Sequence, residues 1–87
     1  MAIFAVTAPS SNQKIGPAIE AAFPNEHIQT WLGHWFVSAS GTAKEVSERL
    51  GIPGGGVGTA IVVSVANYWG RANTDVWEWL KEHWSNK

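Results

Sequence analysis

The chain has 87 residues, 45% of them hydrophobic and only 15% charged, with a formal net charge of −1 and no cysteine. Disulfides and thiolate metal sites are thereby excluded, and the acidic balance opposes binding that runs on neutralising many phosphates. A chain of this length forms one small core, burying roughly 60–65% of its unfolded surface, so residues 1–87 are read as one domain that gains from the cover of a partner.

Ala2-Ile3-Phe4-Ala5-Val6-Thr7 is a nearly continuous apolar run, the pattern of a strand buried on both faces. It lacks a basic flank and is too short for a signal or spanning segment, so a cytoplasmic location and no membrane contact are expected. Ala8 to Asn12 is a loop by composition. Ile15, Ala18, Ile19, Ala22 and Phe23 then recur at helical spacing, with Pro17 disturbing the first turn and Pro24-Asn25 ending the helix.

Ile28, Thr30 and Leu32 alternate with Gln29 and Trp31, Gly33 breaks the run, and Trp35, Val37 and Ala39 alternate with Phe36 and Ser38: a tight hairpin. Thr42-Ala43-Lys44-Glu45 has the capping-box pattern, in which the hydroxyl and the carboxylate satisfy orphan N–H groups reciprocally. The helix it opens turns Ala43, Val46 and Leu50 inward and sets Glu45 four residues from Arg49 on its outer side. Gly51 is placed to stop it in the left-handed conformation, Ile52 to fold back on the last turn, and Pro53 to forbid continuation. Gly54 to Gly58 is a flexible connection, Thr59 to Ala66 the last strand, and residues 73–85 a terminal helix capped by Asn73 or Thr74.

The order β-α-β-β-α-β plus a C-terminal helix predicts an α+β fold, the ferredoxin-like βαββαβ plait. It is a four-stranded antiparallel sheet with two helices on one face and the first and third strands central. One sheet face is left for the terminal helix or a second subunit to cover. The six tryptophans fill a small core, a subunit interface, or both. Trp31, Trp35, Trp69 and Trp79 are the interface candidates, with Trp79 expected outside the monomer core.

Motifs for catalysis are few. The glycines at 54–58 leave a helix and enter a strand, opposite to a phosphate-cradling loop, and no Walker-type lysine follows. His27, His34 and His83 have no metal-ligand spacing, so no metal and no cofactor is expected. No serine elbow occurs. The carboxylates fall on outward helical faces or beside caps. Gly33-His34-Trp35-Phe36-Val37 and Ile3-Phe4 partly follow the signatures of RNA-recognition motifs, departing at Leu32, Trp35 and Ala39; on that reading Phe4, His34 and Phe36 share the open face.

Thr30-Trp31-Leu32-Gly33-His34-Trp35-Phe36-Val37 and the capped helix after it resemble the SinR-like family of small bacterial proteins. Trp69-Gly70, Trp79-Leu80-Lys81 and Ala5-Val6-Thr7 match other elements of that family. Its wider relatives are the small CRISPR-associated adaptation nucleases and the VapD-type ribonuclease toxins. The resemblance implies the ferredoxin-like fold and a homodimer built through sheet edges or open faces. The aspartate those nucleases carry after the first strand has no counterpart in Thr7-Ala8-Pro9-Ser10, so no catalytic residue is assigned.

The reading that results is a non-catalytic homodimeric binding or regulatory protein, its partner nucleic acid or another protein. Lys14, Lys44, Arg49 and Arg71 are the cations available for a nucleic acid. The alternatives are a nuclease with a degenerate site using His34, Ser10 and Asn12, an RNA binder of the recognition-motif kind, and a module that binds a small molecule between subunits.

Overall fold

A computed structural model describes residues 2–72 and 74–84. The elements run β1 (Ala2–Thr7), α1 (Ile15–Ala22), β2 (His27–Trp31), β3 (His34–Ala39), α2 (Ala43–Leu50), β4 (Ile61–Ser64) and α3 (Thr74–His83). The strands form one four-stranded antiparallel sheet in the order β2-β3-β1-β4, with β1 and β3 central and β2 and β4 at the edges. The fold is thus a small α+β domain of one sheet and three helices.

Strand alternation divides the side chains between two faces. Phe4 lies opposite Val37 and Val6 opposite Trp35. All four point to the face that α1 and α2 cover, where they meet Ile15, Ile19, Phe23, Val46 and Leu50. Ile3 opposes Ser38 and Ala5 opposes Phe36 on the other face. There Ile3 packs against Val76 and Leu80 of α3, with Ile28, Phe36 and Val65 beside them. β1 is therefore buried on both sides, as its unbroken apolar run requires: Ile3 and Phe4 are neighbours in sequence, on opposite faces, and both inaccessible.

Local signals account for the element ends. Thr42 and Glu45 close the capping box, with Glu45 N–H donating to Thr42 Oγ1 at 3.2 Å and Thr42 N–H to Glu45 Oε1 at 2.9 Å. Gly51 stops α2 at φ 84°. Its N–H donates to the Glu48 carbonyl and that of Ile52 to Ser47, each at 3.0 Å, the paired bonds of a Schellman turn. The carboxylate is thus already engaged at the cap, and the expected Glu45–Arg49 pair does not form. Arg49 instead reaches across to α1, donating to the Ala22 carbonyl at 2.9 Å with its guanidinium 4.5 Å from the centre of the Phe23 ring. The exposed i,i+4 pair on α2 is Lys44 with Glu48, at 4.0 Å.

α1 begins at Ile15, so Pro17 lies in the first turn, where a missing N–H costs no intrahelical bond. The N-cap position of α1 is Lys14, whose own side chain makes no capping bond; Asn12, two residues earlier, does this instead, its Oδ1 accepting from the N–H groups of Lys14 at 2.9 Å and Ile15 at 3.1 Å. Its Nδ2 donates to the Thr59 carbonyl at 2.9 Å, tying the start of α1 to the approach to β4. In the hairpin turn Gly33 has φ 83°, and a Cβ there would lie 2.5 Å from the Ala8 carbonyl oxygen. Only glycine permits that approach, and the Ala8 N–H donates back to the Gly33 carbonyl at 2.8 Å.

Three boundaries differ from expectation. β2 and β3 each begin one residue earlier, and the hairpin has an irregularity between Gln29 and Trp31. β4 is shorter than 59–66, and it is an edge strand, as expected with the first and third strands central. α3 spans Thr74–His83; the expected cap Asn73 and the last expected residue, Ser85, lie outside the described residues.

Candidate binding surface

Two faces of one sheet end in different states. The face under α1 and α2 is closed. The second face is only half covered, because α3 lies across it toward the β2 side, where its Trp79 stacks on Phe36 with ring centres 6.4 Å apart. His83 fastens the end of this helix: Nδ1 donates to the Trp79 carbonyl at 2.9 Å, and Nε2 lies 3.4 Å from Glu26 Oε1.

Beyond α3, toward β4, the apolar surface continues without cover. Ile61 opposes Thr7 and Val63 opposes Ala5 in the β1–β4 ladder, so both point to the second face. They are 60% and 48% exposed. Among the described residues β4 pairs with β1 on one side only; it is short, at four residues, but residues 59–66 contain no charge and no proline and its ladder no bulge, three of the devices that blunt an edge.

The tryptophans separate into classes that the sequence did not distinguish. Trp35 belongs to the core of the single chain: β3 alternation turns it under α1, where it is buried and lies against Gly16. Trp79 is not outside the core: it is half-buried between Phe36 and His83, its ring centre 4.2 Å from that of His83. Trp31 and Trp69 do face solvent, Trp69 almost completely at 94%. Trp31 stands at the hairpin end beside Leu32, also exposed, and its ring meets that of His34 at 5.5 Å.

The four candidate cations do not converge. Lys14 precedes α1 and Arg49 touches its far end, about 12 Å away for eight helical residues. Lys44 is paired with Glu48 on α2. Arg71 lies on the segment leading into α3, against the opposite face. Nor does a base-stacking platform form. Phe4 is inaccessible beneath α1 and α2, and Phe36 is under Trp79, so they cannot share an open face with His34.

The residues suggested for hydrolysis fare similarly. Asn12 spends its side chain on α1 and Thr59. His34 sits in the β1–β3 ladder opposite Thr7, and among the described residues no three of His, Asp or Glu gather to hold a metal ion. Gly55 and Gly58 line an open recess of about 500 Å³ with Asn12 and Lys14, but two donors of the adjacent helix start, the N–H groups of Lys14 and Ile15, are already taken by Asn12. Among the described residues, no helix is long and apolar enough to cross a membrane.

What sequence reading missed is the pair Ile61 and Val63. Its signal is the absence of any charge from Thr59 to Ala66 in a strand already expected at an edge, since the first and third were expected to be central. No protein-family model matches this chain, and neither a curated protein nor a solved structure does.

Proposed function

We propose that this chain is a ferredoxin-like plait that acts by binding, as a homodimer joined along β4. The element order and the arrangement of α1 and α2 on one face of an antiparallel sheet support the plait. The likeness of Thr30 to Val37 to the SinR-like family points the same way. The observation that carries the dimer is the uncharged β4 edge, with Ile61 and Val63 turned to solvent on the uncovered half of the second face.

An antiparallel pairing of β4 with its copy about a twofold axis satisfies the free edge of both chains and sets their aliphatic side chains beside one another. Covering the exposed half of each side chain contributes about 1 kcal/mol, and each new backbone bond roughly 0.5–1.5 kcal/mol. Four such side chains and about four backbone bonds, set against an association cost of at least about 4 kcal/mol, favour a weak, reversible dimer with an affinity of about millimolar to tens of micromolar. The dimer extends the sheet to eight strands and doubles whatever binding surface each copy presents.

Light scattering behind size exclusion tests this reading with the Val63→Lys variant. The native chain elutes at twice its monomer mass at high concentration and the variant as a monomer with unchanged helix content. A native chain that is monomeric at every concentration, or a variant that dimerises equally well, refutes it.

A further inference from the structure

The edge of the sheet opposite β4 carries a second surface. Trp31 of β2, Tyr68, Trp69 and Arg71 of the segment entering α3, and Trp77 of α3 line a recess of about 110 Å³ floored by Phe36. The rings are set at steep angles to one another: Tyr68 to Trp77 at 5.4 Å and 44°, Trp69 to Trp77 at 6.1 Å and 65°. A drug-sized ligand occupies about 300–1,000 Å³, whereas a cavity of about 150 Å³ holds a benzene ring. At about 110 Å³ this recess is smaller than that; open to solvent, it seats at most one small ring and only partly encloses it.

Its polar equipment is mostly donors, the hydroxyls of Tyr68 and Thr30 being the side-chain groups there that can also accept. An indole N–H donates and never accepts, and a guanidinium likewise. Among the described residues, the indole N–H groups of Trp31, Trp69 and Trp77 have no hydrogen-bond partner within the chain, and Arg71 has neither a hydrogen-bond nor a carboxylate partner. Arg71 at the rim repels a cationic occupant, which rules against an ammonium group held by the ring faces. The fold itself gives no reason for an indole at position 69, which is 94% exposed.

We infer that this recess binds a proline-rich segment of a partner protein in the polyproline II conformation. Such a segment offers the complement of every feature named. Its pyrrolidine is a compact apolar ring, its backbone carbonyls are free acceptors because the conformation has no internal hydrogen bonds, and proline brings no N–H to compete. Its stiffness keeps the ordering cost low, and grooves lined by aromatic side chains are a recurring solution for it. One proline ring enters between the Trp31 and Trp69 side of the recess and Tyr68, while neighbouring carbonyls accept from the indole N–H groups and from Arg71. A single-stranded nucleic acid also presents rings and acceptors, but it needs a row of cations along its backbone. Among the described residues, Arg71 is the only cation lining the recess.

The test is a fluorescence and amide-shift titration of the native chain with a blocked oligoproline peptide, a glycine–serine peptide of equal length, and an oligothymidylate. Oligoproline is expected to bind, shifting amides of residues 68–72 and 74–80, while the glycine–serine peptide does not. Trp69→Ala is expected to weaken binding about 10-fold or more without changing the melting temperature, since that side chain is a solvent-facing anchor. Arg71→Gln weakens it by a smaller factor. Oligoproline that fails to bind, or that binds Trp69→Ala as well as the native chain, overturns the proposal. So does preferential binding of oligothymidylate with a steep salt dependence, which makes the recess a nucleic-acid site. Repeating the titration with Val63→Lys separates this site from the dimer, because β1 and β3 lie between β2 and β4; affinity per chain is unchanged.

Discussion

The two faces of this sheet are built from the same strands, yet one is finished and the other is not. On the closed face two amphipathic helices meet Phe4, Val6, Trp35 and Val37, and every one of those residues is buried. On the second face a single helix covers Ile3, Ile28, Phe36 and Val65, leaving Ile61 and Val63 exposed at β4 and Trp31 and Trp69 exposed near the hairpin. The difference teaches where stability and recognition reside. A face closed by helices on both crossovers holds the fold together. A face shared between one helix and solvent has apolar surface left for other molecules.

Substitution can break this comparison, beginning where the loss is greatest. Ile19→Ala empties a fully buried site between α1 and the sheet and is expected to cost about 2–5 kcal/mol in chemical denaturation. Leu80→Ala removes the equivalent anchor of α3 and is expected to cost about 2 kcal/mol, the low end of the same range, because its neighbours Trp77 and Trp79 are only half-buried. It also separates the faces: α3 amides lose hydrogen-exchange protection while those of α1 keep theirs. Equal loss of protection in both helices would show the two faces to be one cooperative unit.

Thr42→Ala breaks the capping box and lowers stability by about 1 kcal/mol, measured as a shift of the denaturation midpoint with unchanged slope. Smallest of all is Val63→Lys, which changes the stability of the monomer by less than about 0.5 kcal/mol because that side chain faces water. Under the proposed β4 pairing, the same change is expected to abolish self-association, measured as loss of the dimer in light scattering. A residue that matters little to folding and decisively to assembly is the signature of an unfinished face.

How far the chain could be read without coordinates follows from the range of each signal. The capping box at Thr42 and Glu45 and the stop at Gly51 are local, set by residues within one turn, and they form as the pattern dictates. The Glu45–Arg49 pair was equally local but lost to a stronger local claim, since the box had already engaged Glu45. Trp35 and Trp79 were illegible for another reason. Which way a strand residue points depends on register against a partner strand, and which face a helix covers depends on where the chain returns. Neither is encoded nearby. For β4 the edge position follows from setting the first and third strands at the centre, but which of its side chains face solvent again depends on register, since Ile61 and Val63 oppose Thr7 and Ala5. Asn12 as a helix cap was hidden because Gln13 and Lys14 separate it from the helical stripe.

Both sheet edges exist in every chain, and they ought to behave differently. Amide hydrogen exchange of the native chain along a dilution series compares them within one molecule. Pairing through β4 predicts that protection of residues 61–64 falls as the chain is diluted, while protection of β2, residues 27–31, stays constant. Protection of residues 61–64 that is independent of concentration would contradict the account.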